Sequence, residues 1–468
     1  MFLVFPDPGE RFDPLRSLEA FKRLPMRLLR SSGFFLLPFL LALGAGCGHK
    51  SSHASDPGTP PAITAGPVTT TTVAGRQVSF SVTATGAPTL RYQWAKVQVD
   101  GSGKVVSSDS ILGALGTTFT LFDPQPSDSG YYAVTITNPN GTVTSSAAAL
   151  TVAPTLQFTA AVSVVADASG NLFVSDLEDH CVWMVSPAKV VTLLAGAQGI
   201  PGSADGQGSA ARFRNPGGLA LDPTGNLLVA DTGNHTLRRI APDGTVTTVA
   251  GSAGQPGALD AAGTLARFNA PYGLALDGSG GVYIADTQNH TIRFMAANGV
   301  VSTLAGSAGL SGSTDANGSS ARFDQPNGLA LASNGTLYVA DYGNSCLRAI
   351  ATNGQVSTLA GLAGTPAYVD GTGSAARFNL PVGIALDASG NLWVADTHNH
   401  AVRRVTPAGV VNLIAGSGTA GNADGTASGA LFYLPCGISV LPTGNLLVVD
   451  THNHFLRLLT PTGVVTTL

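Results

Sequence analysis

Charge is scarce in this chain. Only 11% of its 468 residues are Asp, Glu, Lys or Arg, and 24 Lys and Arg against 28 Asp and Glu leave a formal net charge of −4. Nucleic-acid binders are usually basic, so that class is disfavoured at once. Low charge together with 44% hydrophobic residues also excludes a globally disordered chain. Cysteine is sparse too: four residues cannot staple a chain of this length as a disulfide scaffold. Methionine, Glu and Lys are few. Glycine is what abounds, 58 of 468 or about 12% against a usual ~7%, accompanied by Thr, Val, Asn and Asp. That is the composition of short strands joined by tight turns, and it predicts an all-β chain. The length suggests two or three domains.

The N-terminal stretch reads as an address. Met26-Arg-Leu-Leu-Arg is basic, Phe34 to Leu43 is apolar, and Gly44-Ala45-Gly46 are small residues before Cys47. The apolar run is shorter than the ~20 residues of a membrane span. The signal is complete from Met26, which predicts that residue as the true start. Small residues before a Cys resemble the bacterial lipobox, although Leu43 stands four residues ahead of Cys47 rather than three. The resemblance implies that Cys47 is lipidated and becomes the mature N-terminus. Gly48 after the Cys resembles lipoproteins sorted to an outer membrane. The implied localisation is an exported outer-membrane lipoprotein, facing the periplasm or the cell surface, with a lipid anchor as its only membrane contact. The competing reading of the same residues is an N-terminal anchor helix. Residues 1–47 are thus the leader, and the Ser/Pro/Gly-rich 48–62 a flexible linker.

Residues 63–153 alternate in short strands. Val78, Phe80 and Val82 fall on one face, Tyr92-Gln93-Trp94 follows, and Asp128-Ser129-Gly130-Tyr131-Tyr132 precedes another apolar run. The segment resembles an immunoglobulin-like β-sandwich, with Trp94 in the place of its core Trp and Asp128-x-Gly130-x-Tyr132 in that of its tyrosine corner. Val82 and Val134 stand where the family has its two cysteines, so packing must replace the disulfide. The implied role is a spacer.

The remainder, 155–468, is one unit repeated six times. Asp176, Asp231, Asp286, Asp341, Asp396 and Asp450 recur at spacings of 55, 55, 55, 55 and 54. Phe158, Phe213, Phe268, Phe323, Phe378 and Phe432 keep the same register. A unit reads Ala-Arg-Phe-Asn-x-Pro-x-Gly-Leu-Ala-Leu-Asp, then Gly-Asn-Leu-x-Val-Ala-Asp-Thr-x-Asn-His, then Gly-x-Val-x-Thr-Leu-Ala-Gly. A period of this size indicates a solenoid or a propeller. Four short strands punctuated by Gly, Asp and Asn fit each unit, which predicts a six-bladed β-propeller of four-stranded blades. The Asp-Thr-x-Asn-His signature resembles the NHL repeat. All six units share one strand phase, so the sixth blade is expected to close on the first mainly through face packing, with Leu156 to Phe158 helping.

Two loops of each unit fall on one face: the signature turn, and the inter-blade loop carrying Asp205, Asp260, Asp315, Asp370 and Asp424. These five aspartates are candidate binding-face residues. A residue present in every blade is also explained by how a blade is built. The loop Asp can cap the short helical turn that runs into Ala-Arg-Phe. Arg238, Arg293, Arg348, Arg403 and Arg457, seven residues after the signature Asp, suit structural Asp–Arg pairs, with Trp183 in that place in the first blade. The recurring His235, His290, His400 and His454 are read the same way. Departures from the repeat are more telling. His398 and His452 occupy the variable signature position of adjacent blades, and two neutral imidazoles on neighbouring loops can share a divalent metal, with Asp370 or Asp424 as the nearest carboxylates. The bland alternative is two exposed turn residues. Gly-rich loops with Asp also suit calcium, but the EF-hand pattern is absent. Cys181 and Cys346 sit in opposite blades and cannot pair; with Cys436 they are expected to be free thiols. No other cofactor is called for, because nucleophile elbow, phosphate loop and zinc spacing are all missing.

The leading functional reading is a non-enzymatic binding or scaffold protein of the cell envelope, presenting a propeller loop face to a protein or glycan partner. It rests on the resemblance, since NHL-type propellers are best known as platforms. The alternative is a metal-dependent propeller enzyme, lactonase- or lyase-like, and a third reading is an envelope component that binds only its own copies. RNA binding, known for some NHL propellers, is disfavoured by export and by the net charge.

Overall fold

The computed structural model describes residues 58–468 apart from 75–76, 88, 123 and 154–155. The leader, Cys47 and most of the 48–62 linker lie outside the described residues. Among those described, no helix is long and apolar enough to cross a membrane, and every named helix is a single three-residue 3-10 turn. The fold is all-β.

In the N-terminal part, one sheet runs in the order Thr70–Val73, Ala148–Ala153, Gly130–Asn138, Arg91–Val99, Val105–Ser110, with Gly141–Thr144 paired to Gly130–Asn138. Two smaller sheets pair Ala62–Ala65 with Thr83–Thr85 and Val78–Ser81 with Thr118–Leu121. Phe80, Trp94, Phe119 and Tyr132 form one aromatic core, ring centroids 5.3 to 6.3 Å apart. Its two polar tips are satisfied, as buried indoles and phenols require: Trp94 Nε1 donates to the Gly116 carbonyl at 2.9 Å and Tyr132 Oη to the Asp128 carbonyl at 2.8 Å. Val82 and Val134 are both buried against these rings.

Six antiparallel meanders follow. Their strands run Ala161–Ala166 to Val191–Gly196 in the first sheet, Pro216–Leu221 to Thr245–Gly251 in the second and Pro271–Leu276 to Val301–Gly306 in the third. The fourth runs from Pro326–Leu331 to Val356–Ala360, the fifth from Ile384–Leu386 to Val410–Ala415 and the sixth from Pro435–Val440 to Val464–Thr467. Short strands Gly206–Gln207, Gly371–Thr372 and Gly425–Thr426 add to the outer edges of the second, fifth and sixth. The arrangement is β-propeller-like. Second strands such as Leu227–Asp231, Leu337–Asp341 and Leu392–Asp396 are buried at every position. A strand covered on both faces reads as an unbroken apolar run, hence Leu-x-Val-Ala-Asp in the repeat.

Neighbouring sheets share apolar cores. Leu228, Ala230 and Leu237 of the second pack on Phe268, Leu274 and Ile284 of the third. The same layer recurs at each step, and Leu447, Val449 and Leu456 of the sixth pack on Val164, Val174 and Val185 of the first. The innermost strands approach through glycine. A Cβ on Gly273 would sit 2.0 Å from the carbonyl oxygen of Asn327 in the next sheet, and one on Gly437 would sit 2.6 Å from that of Val162 in the first. The glycine of Pro-x-Gly is therefore a matter of room and not of backbone freedom.

The contact between sixth and first sheets differs from the expectation of mainly face packing. Face packing is present, but the seam is also hydrogen-bonded. Phe158 N–H donates to the His454 carbonyl at 3.1 Å, Leu156 N–H to the Leu468 carbonyl at 3.4 Å, and Gln157 bridges Phe455 in antiparallel fashion. In the second sheet the counterpart of Phe455, Thr236, pairs with Gly251 of its own outer strand. Residues 156–158 take over that edge, so the N-terminal segment completes the outer strand of the sixth sheet.

Gly273→Ala should lower stability by about 3 kcal/mol in chemical denaturation, because the obstructing atom is backbone and cannot step aside. Gly429→Ala, where a Cβ meets nothing within 4 Å, should stay within about 0.5 kcal/mol of the parent. Equal midpoints for the two variants would refute the close-approach account.

Candidate functional site

The signature turn is built around a buried carboxylate. Asp231 is fully buried at the end of the second strand of its sheet. Its Oδ1 accepts the Arg214 N–H at 2.8 Å, and its Oδ2 accepts Asn234 Nδ2 at 2.7 Å and Arg238 Nη1 at 2.8 Å. Arg238 Nη2 reaches Asp205 of the inter-sheet loop at 2.6 Å, and the guanidinium lies 5.2 Å from the centre of the Phe213 ring. The carbonyls of Arg212 and Ala204 take the remaining Nη protons. Asp, Asn, Arg, Phe and loop Asp thus form one clamp.

The clamp recurs in four further sheets. Arg293, Arg348 and Arg457 join Asp286, Asp341 and Asp450 at 2.6 to 2.8 Å and reach Asp260, Asp315 and Asp424 at 2.5 to 2.9 Å. Arg403 joins Asp396 at 2.9 Å and also holds Asp370. The structural Asp–Arg pairs expected from the sequence are therefore present. The five loop aspartates offered as binding-face candidates are each engaged by an arginine. The first four keep 45 to 50% of their side chains exposed, while Asp424 keeps 12%. The capping role expected of them is not found. The 3-10 turn Gly208–Ala210 starts from Gln207 without a side-chain cap, while Asp205 accepts the N–H and hydroxyl of Thr248 at 3.1 and 3.0 Å. Burial pushes the signature carboxyls up, to about 6, against the pull of their arginines.

The recurring histidines are couplers. Each closes the signature turn in a left-handed conformation, His235 at φ 61° and His400 at φ 50°. His235 Nδ1 accepts the Ala270 N–H of the next sheet at 3.0 Å, and His400 Nδ1 that of Leu434 at 3.2 Å. His454 inverts the polarity: its Nδ1 faces the carbonyls of Phe158 and Thr159 at 3.1 and 2.8 Å and donates. Cys181, Cys346 and Cys436 are free.

His398 and His452, the metal candidates, lie near enough for His452 to act electrostatically on His398. Both are exposed residues of the signature turns. His452 lies 5.0 Å from the Tyr433 ring, which stands 5.6 Å from His400. Desolvation among the packed loops, then His400 and His452, bring His398 down to about 4. Burial lowers His452 too, with His454 and His400 adding to it. Their expected carboxylates, Asp370 and Asp424, are occupied by Arg403 and Arg457, and no group of three or more His, Cys, Asp or Glu able to hold a metal occurs among the described residues.

A further cluster escaped the sequence reading. The variable residue of Pro-x-Gly stands at the head of each inner strand or just before it, and at that position the residues are Val162 (within Ala-Val-Ser), Gly217, Tyr272, Asn327, Val382 and Cys436. All but Gly217 border a cavity of about 400 Å³ between the inner strands. Tyr272 and Asn327 are 9% and 5% exposed, and Asn327 Oδ1 has no hydrogen-bond partner among the described residues. Tyr342 replaces the signature Thr and is 2% exposed. Burial raises both phenols, with Cys436 near enough to add to the effect, and pushes the Cys436 thiol itself up to about 11. A protonated thiol is a poor nucleophile. Two phenols, a carboxamide and a thiol make an uncharged hydrogen-bonding mouth. The signal was available: Tyr, Asn and Cys interrupt a motif position otherwise held by Gly or Val.

Arg348→Met leaves Asp341 and Asp315 without their cation and should cost about 3–5 kcal/mol of stability, measured by denaturant unfolding; a loss below about 1 kcal/mol would contradict the clamp. His398 stays neutral in the folded state well below its ordinary 6.5. Its contribution is whole above about 6.5 and is lost as pH falls through about 4. Imidazole NMR should place its midpoint near 4, and His398→Gln should flatten the decline in stability over that window.

With this geometry in hand, known proteins give context. The immunoglobulin domain family matches residues 60–138, and the NHL repeat family matches residues 213–240, 323–350 and 378–404. Protein SUPPRESSOR OF QUENCHING 1, chloroplastic, of Arabidopsis thaliana is 30% identical over 310 residues, covering 62% of this chain and 29% of the plant protein. NHL repeat-containing protein 2 of Bos taurus is 31% identical over 328 residues, covering 62% of this chain and 45% of the bovine one. The chain thus spans less than half the length of either relative. Among solved structures, a Bacteroides thetaiotaomicron protein of unknown function covers 88% of this chain and 99% of its own at 18% identity and a TM-score of 0.51. An auxiliary nutrient binding protein from the same organism has the same coverage at 14% identity and a TM-score of 0.50. At such identity the likeness is one of fold. The chain carries NHL repeats on a β-propeller-like all-β fold, preceded by a segment matching the immunoglobulin domain.

Proposed function

We propose that this protein is a binding platform of the cell envelope: a six-bladed β-propeller on an immunoglobulin-like β-sandwich spacer, presenting its signature-loop face to a protein or glycan partner. The observation that carries the reading is where the repeat is broken. Repeated polar residues are consumed in clamps and couplers, whereas Tyr272, Asn327 and Cys436 at the axial mouth, Tyr342 near them, and the signature-turn group of His398, Tyr433 and His452 break the repeat. A rigid scaffold that fixes many loops on one surface suits recognition. The groups on offer are hydrogen-bonding and uncharged at neutral pH, which suits sugar hydroxyls or peptide amides better than a phosphate backbone. Location at the envelope rests on the Met26–Cys47 leader, with membrane contact through the lipid alone.

The metal-dependent lactonase- or lyase-like reading keeps one supporting observation, the neutral pair His398 and His452. Metal analysis of the purified protein with His398→Ala and His452→Ala variants decides it: stoichiometric zinc or manganese lost in both would revive the enzyme.

The platform is tested by cross-linking on intact cells. A partner recovered with the parent should fall at least tenfold with a Tyr272→Phe, Asn327→Ala, His452→Ala triple variant whose melting is unchanged. Undiminished recovery with that variant would move the binding surface off this face.

A further inference from the structure

The first sheet lacks the clamp of the other five. Trp183 stands opposite Val174 as Arg238 stands opposite Val229. Asp179 occupies the place of Asn234. Counting back one repeat from Asp205 gives Leu150, which lies in strand Ala148–Ala153 of the preceding domain, so no loop aspartate is supplied. The rest of the receptor persists. Asp176 is fully buried and accepts backbone N–H groups, among them those of Ala160, Glu178 and Asp179, and burial raises its carboxyl. Asp179 is 8% exposed and accepts Gln198 Nε2 at 3.2 Å. Among the described residues neither carboxylate is ion-paired. Phe158 holds the position of the phenylalanine that elsewhere underlies the guanidinium.

A cavity of about 440 Å³ opens at this point in the seam between the sixth and first sheets. Asp179, Trp183, Gln198, Phe158 and His454 line it. Trp183 Nε1 is buried there with no partner among the described residues. Aromatic faces beside a carboxylate make a receptor for a planar cation: the fork of a guanidinium matches a carboxylate, and its face stacks on indole. Within this molecule the guanidinium is the group that five equivalent positions hold.

We propose that the seam cavity binds a guanidinium group supplied by a ligand, which occupies the place of the arginine missing from the first sheet. It pairs with Asp179 and stacks on Trp183 beside Phe158. The group belongs either to a small molecule or to an arginine side chain of a peptide. The site lies apart from the axial mouth and does not depend on it.

The test is calorimetric titration of the full chain, solubilised in detergent, with argininamide, its neutral isostere citrullinamide, and a short arginine-centred peptide. Argininamide should bind saturably and citrullinamide at least tenfold more weakly. Asp179→Asn should lose at least tenfold while melting near the parent. Trp183→Arg, which restores the repeat and fills the cavity from within, should abolish binding. A peptide binding much more tightly than argininamide identifies a peptide source, and equal binding a small molecule. Absence of saturable argininamide binding, equal binding of citrullinamide, or undiminished binding by Trp183→Arg would each overturn the proposal.

Discussion

A guanidinium held between two carboxylates over a phenylalanine organises the repeated part of this molecule. Taking Arg238 out of water costs several kcal/mol unless its protons are satisfied, and here all four Nη protons are used, two by carboxylates and two by backbone carbonyls, while Nε–H has no partner among the described residues. What this arrangement gives is registration. One arginine ties the end of the second strand, the third strand and the inter-sheet loop to one point, so the loop cannot drift relative to the sheet. The apolar layers between sheets are interchangeable in kind, being mostly Leu, Val, Ile and Ala around one recurring Phe. The clamp is what fixes which loop lies over which sheet.

Much of this was legible in the sequence because the physics is periodic. A spacing of 55 residues that keeps Asp, Asn, Arg and Phe in step announces a unit that cannot bury itself alone and must stack. The unbroken apolar run of the second strand announced burial on both faces. The Asp–Arg pairing was legible from the seven-residue offset, which runs from the end of the second strand across the turn to the middle of the third. What sequence reasoning misjudged was the partner of the loop aspartate. It looked like a cap because a helical turn follows it, yet Asp205 sits three residues before Gly208 with Gly206 extended at φ 156° between them, and the carboxylate turns back to Arg238 and Thr248. Offsets along the chain reveal local pairs; a contact across 33 residues is visible only once the sheet is folded.

The axial mouth was missed for a related reason. Tyr272, Asn327 and Cys436 lie in three different repeats, and each looks like an ordinary substitution at a variable position. Their convergence is a property of the ring, since one position per repeat points to the axis and substitutions scattered over some 160 residues become neighbours. In a repeat protein the positions that vary on an otherwise fixed register are therefore where recognition is to be sought, and the positions that recur are where it is not. The histidines divide in the same way. His235, His290 and His400 repeat and are spent on the next sheet's backbone, while His398 and His452 do not repeat and remain at the surface.

The seam follows the same logic. A ring of equivalent sheets has one place where equivalence must fail, because the chain enters there and the outer strand has to be completed from elsewhere. Residues 156–158 complete it by pairing with the strand Phe455–Leu459, and in doing so they displace the loop that would have carried a clamp aspartate. Without that aspartate an arginine at position 183 would have no inter-sheet loop to tie down, and an aromatic residue stands there instead. The substitution of Trp183 is thus a consequence of how the ring is joined. It leaves a carboxylate, an aromatic wall and open volume side by side at a position where, everywhere else in the molecule, a cation is bound.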